Sequence, residues 1–321
     1  MKRLLLILLV WLAACTGTSE PPLDLLLAVG DGDTVAFYPA GSDDAAAVGS
    51  WQIGAAVVDL LRPAGESHLW VLTAGRLLAY PLRGGSLSSP PAETQAVFSL
   101  ELPEDCSNGQ LVSGEARFLL SCGNGTAWTV PLNAPALSPV ETAGDDPQTV
   151  YLLGPDDLVT KIQPTPSGFE LSYSAAAENR SYTITTGSSL ERLLAVWSEE
   201  TLLIAADSGS ETYLYRWNLN DSRPPQLVGD PLELSGIKTI IALNDGWLIG
   251  GDDGYACQLG DKDVIYRPTQ IVEGLVTPDL FAYLAATGNL IVLDLLSQDL
   301  PEHRRSFVAE PRGLAWIAVG E

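Results

Sequence analysis

The chain closes with "RGLAWIAVGE", residues 312–321, in which Leu314 to Val319 form an apolar run with a glycine on either side. Six residues fall far short of the roughly 20 that cross a bilayer as a helix. A short apolar run bounded by turn residues reads instead as a buried strand. Nothing follows it that could be its partner. At the other end, "LDLLLAVGDGDTVAFYP" from residue 23 reads as two strands about a Gly- and Asp-rich turn, with no strand ahead of them. The two deficits cancel if the last strand pairs with the first, so the sequence predicts a closed ring.

The rest of the chain supplies the ring. Six more hairpins follow the first: "LWVLTAGRLLAYPL" from 69, "FLLSCGNGTAWTVPL" from 118, "LVTKIQPTPSGFELSYS" from 158, "LLIAADSGSETYLYRWNL" from 202, "WLIGGDDGYACQLG" from 247 and "FAYLAATGNLIVLDL" from 281. Their mean spacing of about 43 residues is the period of a four-stranded propeller blade. Each hairpin is then strands B and C. Runs such as "AAVVDLLRP" and "IKTIIAL" supply strand A, and runs such as "AVFSLEL" and "DVIYRP" supply strand D. The expectation is an all-β, seven-bladed β-propeller over 23–321. Its first blade is closed by three N-terminal strands and one C-terminal strand, which removes the sheet edges that invite aggregation. The segment 188–200 also fits a helix, through the capping-box spacing of Ser188 and Glu191 and the face Leu190, Leu193, Leu194, Trp197. The period assigns it to strand A of the fifth blade.

The hairpins "FAYLAATGNLIVLDL" and "YLYRWNL" resemble those of bacterial WD40-like and YVTN-like propeller lipoproteins, with Trp217-Asn218 where WD40 blades carry Trp-Asp. The Gly-His start of a WD40 blade, the Asp-box of sialidases and the double glycine of kelch blades are missing. The resemblance implies a binding or scaffolding role at the cell envelope. The rival it leaves open is a propeller enzyme, a calcium-dependent lactonase or hydrolase or a quinone-dependent dehydrogenase, with its site at the channel mouth.

The N-terminus predicts the address. "MKRLLLILLVWLAAC" has a basic start, an apolar core from Leu4 to Ala14 and then Cys15, the pattern of a signal peptide. Leu12-Ala13-Ala14-Cys15 resembles the lipobox of bacterial lipoproteins. That resemblance implies a signal peptide over 1–14, a lipidated Cys15 and a tether over 15–22, holding a monomer on a membrane and facing the periplasm or the exterior. An exported protein can form disulfides, and Cys106 and Cys122 flank a predicted hairpin about Ser113-Gly114-Glu115, so they are expected to be bridged. Cys257 reads as a small core residue.

Removing Lys2 and Arg3 with the leader leaves 17 less 2 basic residues against 40 acidic ones, a net charge of −25. Such a surface disfavours nucleic acid and anionic lipid headgroups. No G-x-S-x-G occurs, and His68 and His303 are too few for a nucleophile relay. The Gly-rich stretches at 30–34, 123–126 and 250–254 join strands, whereas a phosphate loop precedes a helix. The Asp-rich turns lack the alternating ligands of a calcium loop. No cofactor is expected, no catalytic residue is assigned, and the sequence leaves metal binding open. Of the eight tryptophans, those beyond the leader are assigned to blade packing.

One constellation follows from the architecture. In a propeller the B–C turns and D–A connections open on one face. Asp31, Asp33, Asp207, Glu211, Asp252 and Asp253 fall in B–C turns. Glu104, Asp105, Asp145 and Asp146 fall in D–A connections, opposed by Arg76, Arg267 and Arg312. This acidic mouth is expected to dock a basic segment of an envelope protein or to hold a cation.

Overall fold

The computed structural model describes residues 25–318 apart from 41–45, 87, 93–94, 104–105, 107–108, 141–145, 176–177, 244–245, 261, 277–279, 286, 295–301 and 310. The leader, Cys15 and the tether lie outside the described residues, as do Glu104, Asp105 and Asp145.

The described residues form seven four-stranded antiparallel sheets that follow one another along the chain. In each, strand A lies innermost. Numbered from the first hairpin, the inner strands are Pro311–Ala318, Val57–Leu61, Gln110–Ser113, Val150–Leu153, Arg192–Ser198, Thr239–Leu243 and Ile271–Val276. Each inner strand touches the next in cyclic order, the seventh touching the first. The fold is thus an all-β propeller whose sheets surround a central channel.

Strand B has a sheet neighbour on each side and another blade against each face, so its residues are apolar without alternation. Leu26 to Val29, Leu69 to Leu72 and Leu202 to Ala206 are all buried. That is why the hairpins read as unbroken apolar runs. Between blades the space is filled by aromatic clusters, such as Trp51 with Phe37 and Tyr80, Trp70 against Phe118, and Trp217 among Tyr173, Tyr182 and Trp197. Trp51, Trp70 and Trp217 are fully buried, and two of their indole N–H groups donate to backbone carbonyls, Trp51 to Pro91 and Trp217 to Arg223, both at 3.0 Å.

Pro311–Ala318 runs antiparallel to Leu25–Asp31, from Leu25 opposite Ala318 to Asp31 opposite Pro311. The ladder slips once, leaving Gly313 unpaired as a bulge. Gly313 has φ of 62°, and a Cβ there would lie 2.4 Å from the Leu60 nitrogen and 2.9 Å from the Asp59 carbonyl carbon. Both the dihedral and the approach of the second blade demand glycine.

The segment 188–200 contains strand Arg192–Ser198, paired along its length with Thr201–Asp207, and Glu199 (φ 51°) makes the tight turn between them. Strand pairing overrides the local helical pattern because a helix there would strip the fifth sheet of its inner strand.

Cys106 and Cys122 are joined by a disulfide, by a route that differs from the hairpin reading. Gln110 faces Ser121 and Ser113 faces Phe118, so the hairpin is centred between Glu115 and Ala116 rather than on Gly114. Cys106 sits before the strand, in a turn where its N–H donates to the Pro103 carbonyl at 3.0 Å, and reaches Cys122 from there. Cys257 is buried, and burial pushes its thiol up to about 11, far from a reactive thiolate. With the bridged cysteines separated by 16 positions in sequence, loop-closure entropy puts the bridge at about 3 kcal/mol. Cys106→Ser with Cys122→Ser should lower the urea unfolding free energy by about that amount, with an m-value raised slightly because the unbridged unfolded chain exposes more surface.

Candidate functional site

The inner strands of the third to sixth sheets enclose a cavity of about 670 Å³ on the ring axis, lined by Gln110 to Ser113, Val150 to Leu152, Arg192 to Val196 and Thr239 to Ile240. It opens on the face of the B–C turns, where Gln148, Glu191 and Lys238 also line it. The expected acidic residues divide into three groups there. Asp33, Asp252 and Asp253 are exposed at their turns, as is Glu211, which accepts a hydrogen bond from the Tyr213 hydroxyl at 3.0 Å. Asp146 turns back on its own loop, accepting the Gln148 N–H at 2.8 Å, and Asp31 is partly buried and itself engaged. Asp207 is 1% exposed and is no docking residue: its two oxygens accept the Gly209 N–H at 2.8 Å and the Ile237 N–H at 3.2 Å.

The mouth is also less uniformly negative than the loop assignment implies. Lys238 reaches Asp252 at 2.5 Å, and Arg192 lines the channel. Both cations stand at the beginnings of inner strands, where an assignment based on turns does not look. Asp253 accepts from the Ser235 hydroxyl at 2.7 Å. Of the expected opposing cations, Arg76 lies 3.7 Å from Glu101 with both side chains largely exposed, a contact of little energy. Arg267 donates to the Tyr266 carbonyl at 3.3 Å. His68 begins strand B of the second sheet, 3.6 Å from Glu66 and edge-on to Phe98. Among the described residues no three His, Cys, Asp or Glu side chains are placed to hold a metal ion.

Sequence reading missed a second set of carboxylates, which act between blades. Asp59 accepts the Leu60 N–H and, across to the third blade, the Leu111 N–H, both at 2.7 Å. Asp157 accepts Glu115 and Ala116 N–H at 2.7 and 3.0 Å. Glu273 accepts Gly313 and Leu314 N–H at 2.8 and 3.0 Å, tying the seventh blade to the closing strand. Asp59 and Glu273 each follow directly on a bulge in their inner strand. A bulge re-aims the next side chain, here toward N–H groups at the ring's inner edge. The sequence signal was an acidic residue inside an apolar strand, in "VVDLL" and "IVEGLV".

No family model matches the chain, and no curated protein matches it in sequence. Its fold is similar to that of apo AztD from Citrobacter koseri, with a TM-score of 0.61 and 10% identity over 91% of this chain and 98% of that one. BamB from Moraxella catarrhalis gives 0.53 and 12% over 86% and 95%. KlAtg21, solved in complex with the coiled coil of AgAtg16, gives 0.58 and 10% over 92% and 96%. At these identities the likeness shows the β-propeller fold alone.

Burial pushes Asp59 up to about 7 against the lowering pull of its two N–H donors, and pushes Glu273 up to about 8, with the neighbouring Asp59 charge adding to the rise. Glu273 is half-buried as a residue, but its carboxyl end is enclosed. In the unfolded chain both titrate near 4, so the unfolded state loses these protons first as pH rises. Their contribution is full below about pH 4, declines up to about pH 8 at no more than about 1.4 kcal/mol per pH unit each, and then levels off. Glu273→Gln should flatten the decline in denaturant stability between about pH 5.5 and 8.5; equal slopes in parent and variant would mean that Glu273 is ionised in the fold.

Proposed function

We propose that this seven-sheet propeller is a lipid-anchored, extracytoplasmic binding scaffold without catalytic activity, which docks a basic segment of an envelope protein on the face of its B–C turns. The observation that carries the reading is the set of exposed carboxylates Asp33, Glu211, Asp252 and Asp253 on turns of one face around an open channel mouth. A rigid ring presenting charge on short turns loses little entropy on binding, so complementary charge contributes steering and specificity. The Cys15 lipobox supports the anchor and the compartment, and the disulfide is consistent with an oxidising one. KlAtg21, which shares the fold, was solved with a coiled-coil partner, so the architecture is compatible with protein docking.

Two experiments test this. Labelled palmitate should enter the parent and be lost on Cys15→Ala, with release of the protein from membranes; labelling of the variant would refute the anchor. Crosslinking on intact cells should capture one envelope protein with the parent and lose it with the Asp252→Asn, Asp253→Asn variant. Capture that survives both changes would place the docking surface elsewhere.

A further inference from the structure

The contact between the third and fourth blades differs from the two contacts that flank it, where Trp70 meets Phe118 and Trp217 meets Tyr173. Its buried apolar set is Leu119, Ala127, Tyr151 and Leu153, with Val112, Val140 and Val159 at the margin, and it contains none of the ring pairs that fill neighbouring contacts. Beside this small core is a cavity of about 480 Å³, within the range of small-molecule sites, roughly 300–1,000 Å³.

Strand register explains its lining. In the fourth sheet Lys161 lies opposite Tyr151 on one side and Ser172 on the other, and Ser172 lies opposite Ser181. The row beside it holds Val159, Ser174 and Asn179. Residues two apart share a face, so this whole face turns toward the third blade, which contributes Arg117 and Thr129. Arg117 is held in place: its Nη2 donates to the Asp157 carbonyl at 2.7 Å and its Nε lies 4.0 Å from the Asp157 carboxylate. That contact occupies part of a five-donor fork. Arg180 also borders the cavity, but its side chain bonds Tyr173 on the opposite face.

The described lining includes Arg117 and Lys161 and no Asp or Glu, in a chain with 40 acidic residues against 17 basic ones. Glu170, two residues from Ser172 on the same strand face, accepts from the Ser181 hydroxyl. Around the two cations stand the hydroxyls of Thr129, Ser172 and Ser174 and the amide of Asn179, and Val159, Val140 and Pro139 give an apolar wall. Cations fix an anionic group, hydroxyl and amide groups match ring hydroxyls as donors and acceptors, and the apolar wall suits the C–H face of a ring.

We propose that this cleft between the third and fourth blades binds a sugar-sized anion, a polyhydroxylated ring bearing a carboxylate or a phosphate. The site is separate from the channel mouth and stands or falls independently of protein docking there. Titration calorimetry on the detergent-solubilised full chain tests it with four probes: glucuronate, glucose 6-phosphate, glucose and inorganic phosphate. At least one sugar anion should bind saturably and ten-fold or more tighter than both glucose and inorganic phosphate, and which one it is identifies the anionic group. Lys161→Gln should weaken that binding ten-fold or more, and Ser172→Leu, which fills the cleft, should abolish it, with unchanged circular dichroism. The Asp252→Asn, Asp253→Asn variant should bind like the parent. Sugar anions that bind no better than glucose or phosphate, or full affinity in a folded Lys161→Gln or Ser172→Leu variant, would overturn the proposal.

Discussion

A propeller of this kind depends on one long-range pairing, because a sheet ring that is not closed leaves its first and last blades each with a bare face and an unpaired edge. Here the pairing is between Leu25–Asp31 and Pro311–Ala318, residues at opposite ends of the described chain. Leu26, Ala28, Ala315 and Ile317 join one core with Val57, Leu60 and Leu69 of the second blade, while Leu27, Val29 and Leu314 pack with Leu290 and Val308 of the seventh. The closing strand is therefore buried from both sides. Its entropic cost grows only slowly with the length of chain it closes, whereas the apolar area it covers on two faces is gained in full.

Closure of apolar faces alone leaves the inner edge of each strand A with unpaired N–H groups, and buried N–H groups need acceptors. Asp59 and Glu273 meet part of that need at two junctions of the ring, Glu273 between the seventh and first blades and Asp59 between the second and third. Each carboxyl takes two N–H groups, which offsets a desolvation cost that would otherwise exclude it. The same interactions make the ring's inner edge responsive to protonation. Asp207 and Asp157 repeat the device at turns. The carboxylates thus serve two purposes in this acidic chain: those near inner strands and junctions bind one blade to the next, and those on turn tips remain at the surface.

Several features were legible in the linear sequence for clear physical reasons. Strand B is buried on both faces, so its apolar runs are continuous and their 43-residue recurrence stands out, and an unpaired strand at each end implies closure. The bridge between Cys106 and Cys122 was legible as proximity but not as geometry, since a one- or two-residue change in turn centre moves cross-strand partners without altering the spacing of the cysteines. The strand at Arg192–Ser198 was ambiguous by pattern because its apolar residues satisfy two periods at once; the period of the whole chain chose between them.

The sequence by itself determined the repeat, the closing strand and the turn positions, because these follow from apolar periodicity and from Gly and Asp at reversals, which are local properties. It also placed acidic residues on one face, since strand alternation settles which end of a blade each turn occupies. Only the tertiary structure decided how those carboxylates are engaged, burying Asp207, setting Lys238 beside the still exposed Asp252 and bringing Arg192 into the channel. It alone placed Arg117 of one blade opposite Lys161 of the next, across a gap in apolar packing. Such pairings depend on how two sheets face each other, and that relation is set by side-chain volume summed over both surfaces, which no single stretch of chain encodes.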